Sequence, residues 1–229
     1  MATRLGKEVT TQPIKAFRGS KIAKTFWGMA WCENLESYSD YQNRLPRGRT
    51  YARNGSILHL DIGPGKVNSF VAGSDLYEIK IVIEPLEDQA WQTFKQRCAG
   101  RIDTLLALLR GQLADSVIQE ITHRKTGLFP APSDIRLNCS CPDWANMCKH
   151  VAATLYGVGV RLDTEPELFF KLRCLDHEEL LESASAESLD DGLPEGDDVI
   201  AESDLSALFG IEFSDIPAEA PPKAGTGQE

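Results

Sequence analysis

The sequence predicts an α+β protein: a small antiparallel β-meander with flanking helices, a strand–turn–helix metal module and a disordered acidic C-terminal tail. Three observations carry that expectation. Strand-like runs over 56–62, 66–71 and 77–83 follow one another closely, joined by the turn residues Gly63-Pro64-Gly65 and Ala72-Gly73-Ser74-Asp75. Apolar stripes at helical spacing flank them on both sides. Three of the six cysteines fall within ten residues, and a histidine stands two residues beyond the last of them.

The meander is clearest in its third run. Tyr77, Ile79, Ile81 and Ile83 alternate with Glu78, Lys80 and Glu84, the pattern of a strand with one buried face, and Pro85 ends it. Before the sheet, Phe26, Trp27, Ala30, Trp31 and Leu35 recur every three or four residues, which predicts a helix over 25–35 and then a linker. After the sheet, Trp91, Phe94, Cys98, Ile102 and Leu105 form one helical stripe with a break at Gly100. Leu113, Val117, Ile118 and Ile121 form a second, stopped by Gly127 and Pro130. Both stripes read as core packing. Short helices are expected over 165–170 and 177–181.

These elements divide the chain into a lead-in (1–22), a β-meander region with a basic segment (23–86), a helical region (87–131), a zinc module (132–181) and the tail (182–229). Beyond residue 182 Ala, Ser, Gly, Pro, Asp and Glu dominate, a composition that buries too little apolar surface to offset ordering entropy. One apolar island, Leu205, Leu208, Phe209, Ile211 and Phe213, interrupts it. The net charge of −10 divides unevenly. Residues 1–174 carry 23 Lys and Arg against 18 Asp and Glu, or +5, and 175–229 carry one Lys against 16 acids, or −15. The body is mildly basic and the tail strongly acidic, which implies two kinds of partner.

No run approaches the roughly 18–20 apolar residues of a membrane span, and the N-terminus has no apolar stretch behind its basic residues. The expected location is cytoplasmic, with no membrane partner and no small-molecule substrate. A reducing compartment argues against disulfides, so Cys32, Cys98 and Cys174 read as buried small hydrophobes.

The remaining three cysteines have metal-ligand spacing. Cys139, Cys141, Cys148 and His150 form Cys-x-Cys, six residues, then Cys-x-His, a donor set suited to one tetrahedral, structural Zn2+. Cys139 and Cys141, two apart, share one side of an extended strand. Cys148 and His150 cannot both lie inside a helix, where such a pair diverges by roughly 200°. They must straddle a helix start, with Cys148 before it and His150 in its first turn, leading into a run that stops at Gly157.

This arrangement resembles the SWIM-type zinc finger, and Trp144 in the loop and the apolar helix after His150 fit it. Upstream, the stretches Phe26-Trp27-Gly28-Met29-Ala30-Trp31 and Arg44-Leu45-Pro46-Arg47-Gly48-Arg49-Thr50-Tyr51-Ala52-Arg53 look like bacterial SWIM proteins whose partner is a Swi/Snf-type helicase. The resemblance spans roughly residues 23–177. It implies a non-enzymatic DNA- or protein-binding module that assists such a helicase. The chain has no phosphate-binding Gly-x-x-x-x-Gly-Lys-Ser/Thr loop, so ATP hydrolysis falls to the partner.

Arg44, Arg47, Arg49, Tyr51 and Arg53 are the candidate nucleic-acid contacts. If the segment is extended, the last four share one face, and three guanidiniums beside an aromatic ring can grip phosphate and stack on a base. Lys95, Arg97, Arg101, Arg124, Lys125, Arg136 and Lys149 could extend the strip. Two other readings stay open: a protein-only adaptor, and a zinc-dependent hydrolase. The hydrolase needs an open coordination position and a general base, and Asp143 is the only acid between the ligands.

Overall fold

The computed structural model describes residues 11–19, 21–37, 44–102, 104–143 and 145–180. The acidic tail and its apolar island lie outside these residues. Four strands, β1 (Ile57–Gly63), β2 (Lys66–Ala72), β3 (Leu76–Ile83) and β4 (Ile135–Cys139), form one antiparallel sheet in that order. The expected meander is therefore β1–β3, with the first cysteine strand added at its far side. Val67, Val71, Ile79, Ile81 and Ile83 are buried on the inner face, as the alternation requires, and a bulge between Ile57 and His59 lets Ile57 and Leu60, three apart, both be buried. Gly65 takes φ 63 in the β1–β2 turn, a left-handed conformation that glycine adopts without strain.

The helix α6 (Lys149–Leu162) lies across that inner face, and eleven of its fourteen residues are buried. It continues past Gly157, the expected stop. Gly157 and Gly159 are contact positions: a Cβ on the first would sit 2.7 Å from Ile57 Cδ1, and on the second 2.7 Å from Cys32 Sγ. Small residues there let the sheet and the helix α1 (Phe26–Glu36) approach α6 closely. The Asp163 carboxylate, at the end of α6, accepts hydrogen bonds from the Lys24 and Thr25 backbone N–H groups at 2.9–3.0 Å and from Thr25 Oγ1 at 2.8 Å. A carboxylate thus caps the N-terminus of α1 from another helix, where the helix dipole favours it.

The linker expected after α1 contains a second helix instead, α2 (Leu45–Arg53). Its apolar content is low, so periodicity does not reveal it. Leu45, Gly48 and Ala52 are its buried positions, and Gly48 meets Ala152 of α6 so closely that a Cβ would lie 2.4 Å from the Ala152 Cβ.

The helices α3 (Asp88–Cys98), α4 (Leu105–Arg110) and α5 (Asp115–Thr122) carry most of the two stripes, with Trp91, Phe94, Cys98, Val117 and Ile121 buried; Ile102 is buried too, in the loop between α3 and α4, and Leu113 lies in the loop before α5. Gly100, with φ 64, makes the expected break. The short helix α7 (Glu167–Leu172) brings Phe169 and Phe170 against Trp27, whose indole N–H donates to the Leu108 carbonyl at 2.9 Å. Cys32 and Cys98 are buried as expected, whereas Cys174 is exposed in a turn at φ 57. Among the described residues, no helix is long and apolar enough to cross a membrane.

Replacing Gly48 by Ala sets helix propensity, a gain of about 1 kcal/mol, against overpacking of about 1–3 kcal/mol. The atoms it would strike include the Ala152 carbonyl carbon and the Ala153 nitrogen, at 2.8 and 2.9 Å, and backbone cannot yield as a side-chain tip can. The expected outcome of Gly48→Ala is a net destabilisation of about 1 kcal/mol or more, read as a lower urea midpoint. A raised midpoint would show that α2 and α6 are not in this contact.

Candidate metal centre

Strand β4 delivers Cys139 at its last residue, and the chain turns so that Cys141 follows just past the strand end. Cys148 is the N-cap of α6 in extended conformation (φ −83, ψ 171), and its sulfur accepts from the Val151 backbone N–H at 3.5 Å. His150 is the second residue of the helix. The second pair therefore straddles a helix start, as the i, i+2 spacing demands.

The four ligand atoms lie within 4.8 Å of one another. His150 Nδ1 faces the sulfurs, 3.9 Å from Cys139 Sγ and 3.8 Å from Cys148 Sγ. An ion about 2.3 Å from sulfur and about 2.0 Å from nitrogen sets tetrahedral S and N neighbours about 3.5 Å apart. The cluster is only slightly wider than that, so the residues fit a single metal ion.

Burial and electrostatics give the set its chemistry. His150 is 3% exposed, and burial, with the Lys149 charge beside it, pushes its pKa down to about 4. The imidazole is neutral at pH 7, the form that ligates. Burial pushes the Cys139 and Cys148 thiols up from their ordinary range, so a cation is needed to hold them as thiolates. The ring of His150 is wedged between aromatics, stacked on Tyr77 at 4.1 Å and edge-on to Tyr51 at 5.5 Å. A Cβ on Gly73 would come within 3.0 Å of its Nε2, an atom that is buried and has no hydrogen-bond partner among the described residues. Packing rather than a second hydrogen bond orients this ligand.

The loop between the ligand pairs is pinned from Arg44, the N-cap of α2. Arg44 reaches Asp143 through its two terminal guanidinium nitrogens, at 3.3 and 3.4 Å, and Asp143 Oδ1 also accepts from the Ala145 N–H at 3.2 Å. This contact was not legible in the sequence, since 99 residues separate the partners.

The arginine strip is corrected by the same helix. In α2, residues two apart fall on different faces, so Arg47, Arg49, Tyr51 and Arg53 do not form one row. Arg49 bonds Glu36 and, at 3.1 Å, the Tyr156 hydroxyl, which in turn donates to Glu36 at 2.8 Å; this triad ties α1, α2 and α6 together. Tyr51 is half-buried, with His150 at its side and the Lys149 ammonium over its ring at 5.1 Å, so its face is taken. Arg53 is half-buried. Arg47 alone of the set stands exposed on α2. Lys149 feels its charge: Tyr51 holds the lysine pKa up through a hydrogen bond, while the Arg47 charge opposes it. Of the suggested extensions, Lys95, Arg97 and Arg136 are paired with Glu179, Glu120 and Glu84.

Fold and site together define a small α+β protein with a Cys3His cluster able to hold a metal ion. Compared with curated proteins, the chain is 31% identical over 215 residues to Uncharacterized protein Rv2102 of Mycobacterium tuberculosis, an alignment covering 91% of this chain and 77% of that one. The chain belongs to the same family. No family model matches it, and no solved structure does.

The ligands make stability pH-dependent with a definite sign. In the metal-free chain His150 is depressed to about 4 from 6.5, so as pH falls the unfolded chain takes up that proton first and stability is lost between about 6.5 and 4. Cys139 and Cys148 are raised above 9.0, so as pH rises past that value the unfolded chain releases protons first and stability is lost again. A metal ion bound by the thiolates would remove the alkaline loss. Thermal melts across pH should show both flanks without metal and no alkaline flank with it; superimposable profiles would mean that these groups do not bind zinc.

Proposed function

We propose that the chain is a SWIM-type zinc module that works by binding, engaging DNA through the Arg47–Lys149 face as an accessory to a Swi/Snf-type helicase. The observation that carries the reading is the convergence of three sulfurs and one imidazole nitrogen within 4.8 Å, which fills a tetrahedron with protein ligands. When bound, the zinc supplies cross-linking charge, and no position is left for substrate. Asp143, the one acid between the ligands, is engaged by Arg44 and the Ala145 N–H, which argues against a general base there.

DNA contact is supported by placement. Lys149 precedes the ligand His150 and lies over the Tyr51 ring, one helical turn after Arg47 on α2, and neither cation is in an ion pair among the described residues. Like charges on one face repel unless an anion joins them. With the Tyr51 face covered, the contact is to phosphate and independent of sequence. The protein-only adaptor has an observation of its own: Arg44 and Arg49 are consumed by internal ion pairs, which shrinks the strip.

Duplex binding measured against salt separates the two. Arg47→Glu combined with Lys149→Gln, at unchanged metal content, should weaken binding and flatten the slope of log K against log salt by about 2. Unchanged binding and slope would leave the adaptor.

A further inference from the structure

The two edges of the sheet are treated differently. On the β1 side the chain covers its own edge: the Leu60 N–H donates to the Gln12 carbonyl at 2.9 Å, and the Ile14 N–H to the Ile57 carbonyl at 3.1 Å. On the β4 side, the Ser140 N–H donates to the Glu78 carbonyl and the Glu84 N–H to the Asp134 carbonyl, at 3.0 and 2.8 Å. These bonds bracket the ladder, so the even-numbered residues of β4 face β3 and the odd-numbered ones turn their backbone groups outward. The Ile135 N–H is taken up by the Pro132 carbonyl. Leu137 and Cys139 present N–H and C=O groups that no described backbone group meets.

The side chains at that edge are of two kinds. Ile135 and Leu137 are only half-buried against the core, because among the described elements none extends the sheet past β4. On the other face Arg136 is 70% exposed and Lys80, one strand inward, 59%. Their partners Glu84 and Glu78 both come from the β3 side, which leaves the outward side of the arginine open. A fifth strand that alternates apolar with acidic residues would cover Ile135 and Leu137 on one face and meet Arg136 on the other. A second copy of β4 fits less well: paired two-fold about Leu137, it sets Arg136 against Asn138 and supplies no carboxylate.

We propose that the free edge of β4 takes an extended acidic–apolar peptide of a partner protein as a fifth strand, beside the metal cluster. This surface is separate from the Arg47–Lys149 face, so it stands whether or not the chain binds DNA.

The test is an NMR titration of the zinc-loaded full chain with a synthetic heptapeptide alternating valine and glutamate, and with its valine–lysine counterpart. The acidic peptide should slow hydrogen exchange at the Leu137 and Cys139 amides and bind roughly fivefold more tightly than the basic one. Arg136→Glu should reverse that order. Leu137→Pro removes an outward N–H that the ladder does not use and should weaken binding by about tenfold. If that variant fails to retain metal, the Arg136→Glu reversal decides. Three results would overturn the proposal: amides already protected without peptide, no preference between the peptides, or a dimer protecting the same amides, which assigns the edge to a second copy.

Discussion

The structure depends on joining the end of one strand to the start of one helix at a single point. Cys139 and Cys141 come from the end of β4, Cys148 and His150 from the first turn of α6, and their ligand atoms meet within 4.8 Å. The helix that starts there is the most buried element of the fold, and the sheet, α1, α2 and α7 pack around it. Apparent binding energies of structural zinc are about 10–16 kcal/mol, while a whole domain is stable by only about 5–15 kcal/mol. A metal at this joint is thus large enough to decide whether the central helix starts where it does. Without one, one buried and two half-buried thiols crowd around the imidazole Nδ1 with nothing to join them.

The surroundings divide between holding that joint and facing outward. Arg44 pins the ligand loop, and Arg49 ties three helices through Glu36 and Tyr156. Arg47 and Lys149 are left to present charge. A basic segment that looks uniform in sequence thus separates into structural and surface groups once it becomes a helix. On the strand side of the cluster, β4 ends the sheet with outward backbone groups. The same short stretch of chain supplies metal ligands and borders both candidate interaction surfaces.

Much of this was legible in the sequence, for identifiable reasons. The strands showed because one face is buried and the other solvated, so a period of two survives in Tyr77, Ile79, Ile81 and Ile83. The ligand set showed because zinc chemistry restricts residue types and spacing at once. Helix α2 did not, because its helicity is enforced by the Gly48–Ala152 contact and its nine residues include a proline, a glycine and three arginines. Gly157 was misleading in the same way: glycine stops a helix when it takes a left-handed conformation, but here it is the absence of a side chain against Ile57 that matters. Asp163 capping α1, and Arg44 holding Asp143, join residues more than ninety positions apart, and no local pattern records such pairs.

X-ray absorption at the zinc K-edge, on protein purified under reducing conditions, tests the central claim most directly. The account predicts one zinc per chain with three sulfur neighbours at about 2.3 Å and one nitrogen at about 2.0–2.1 Å. Protein that takes up no stoichiometric zinc, or a shell of oxygen and nitrogen alone, would contradict it.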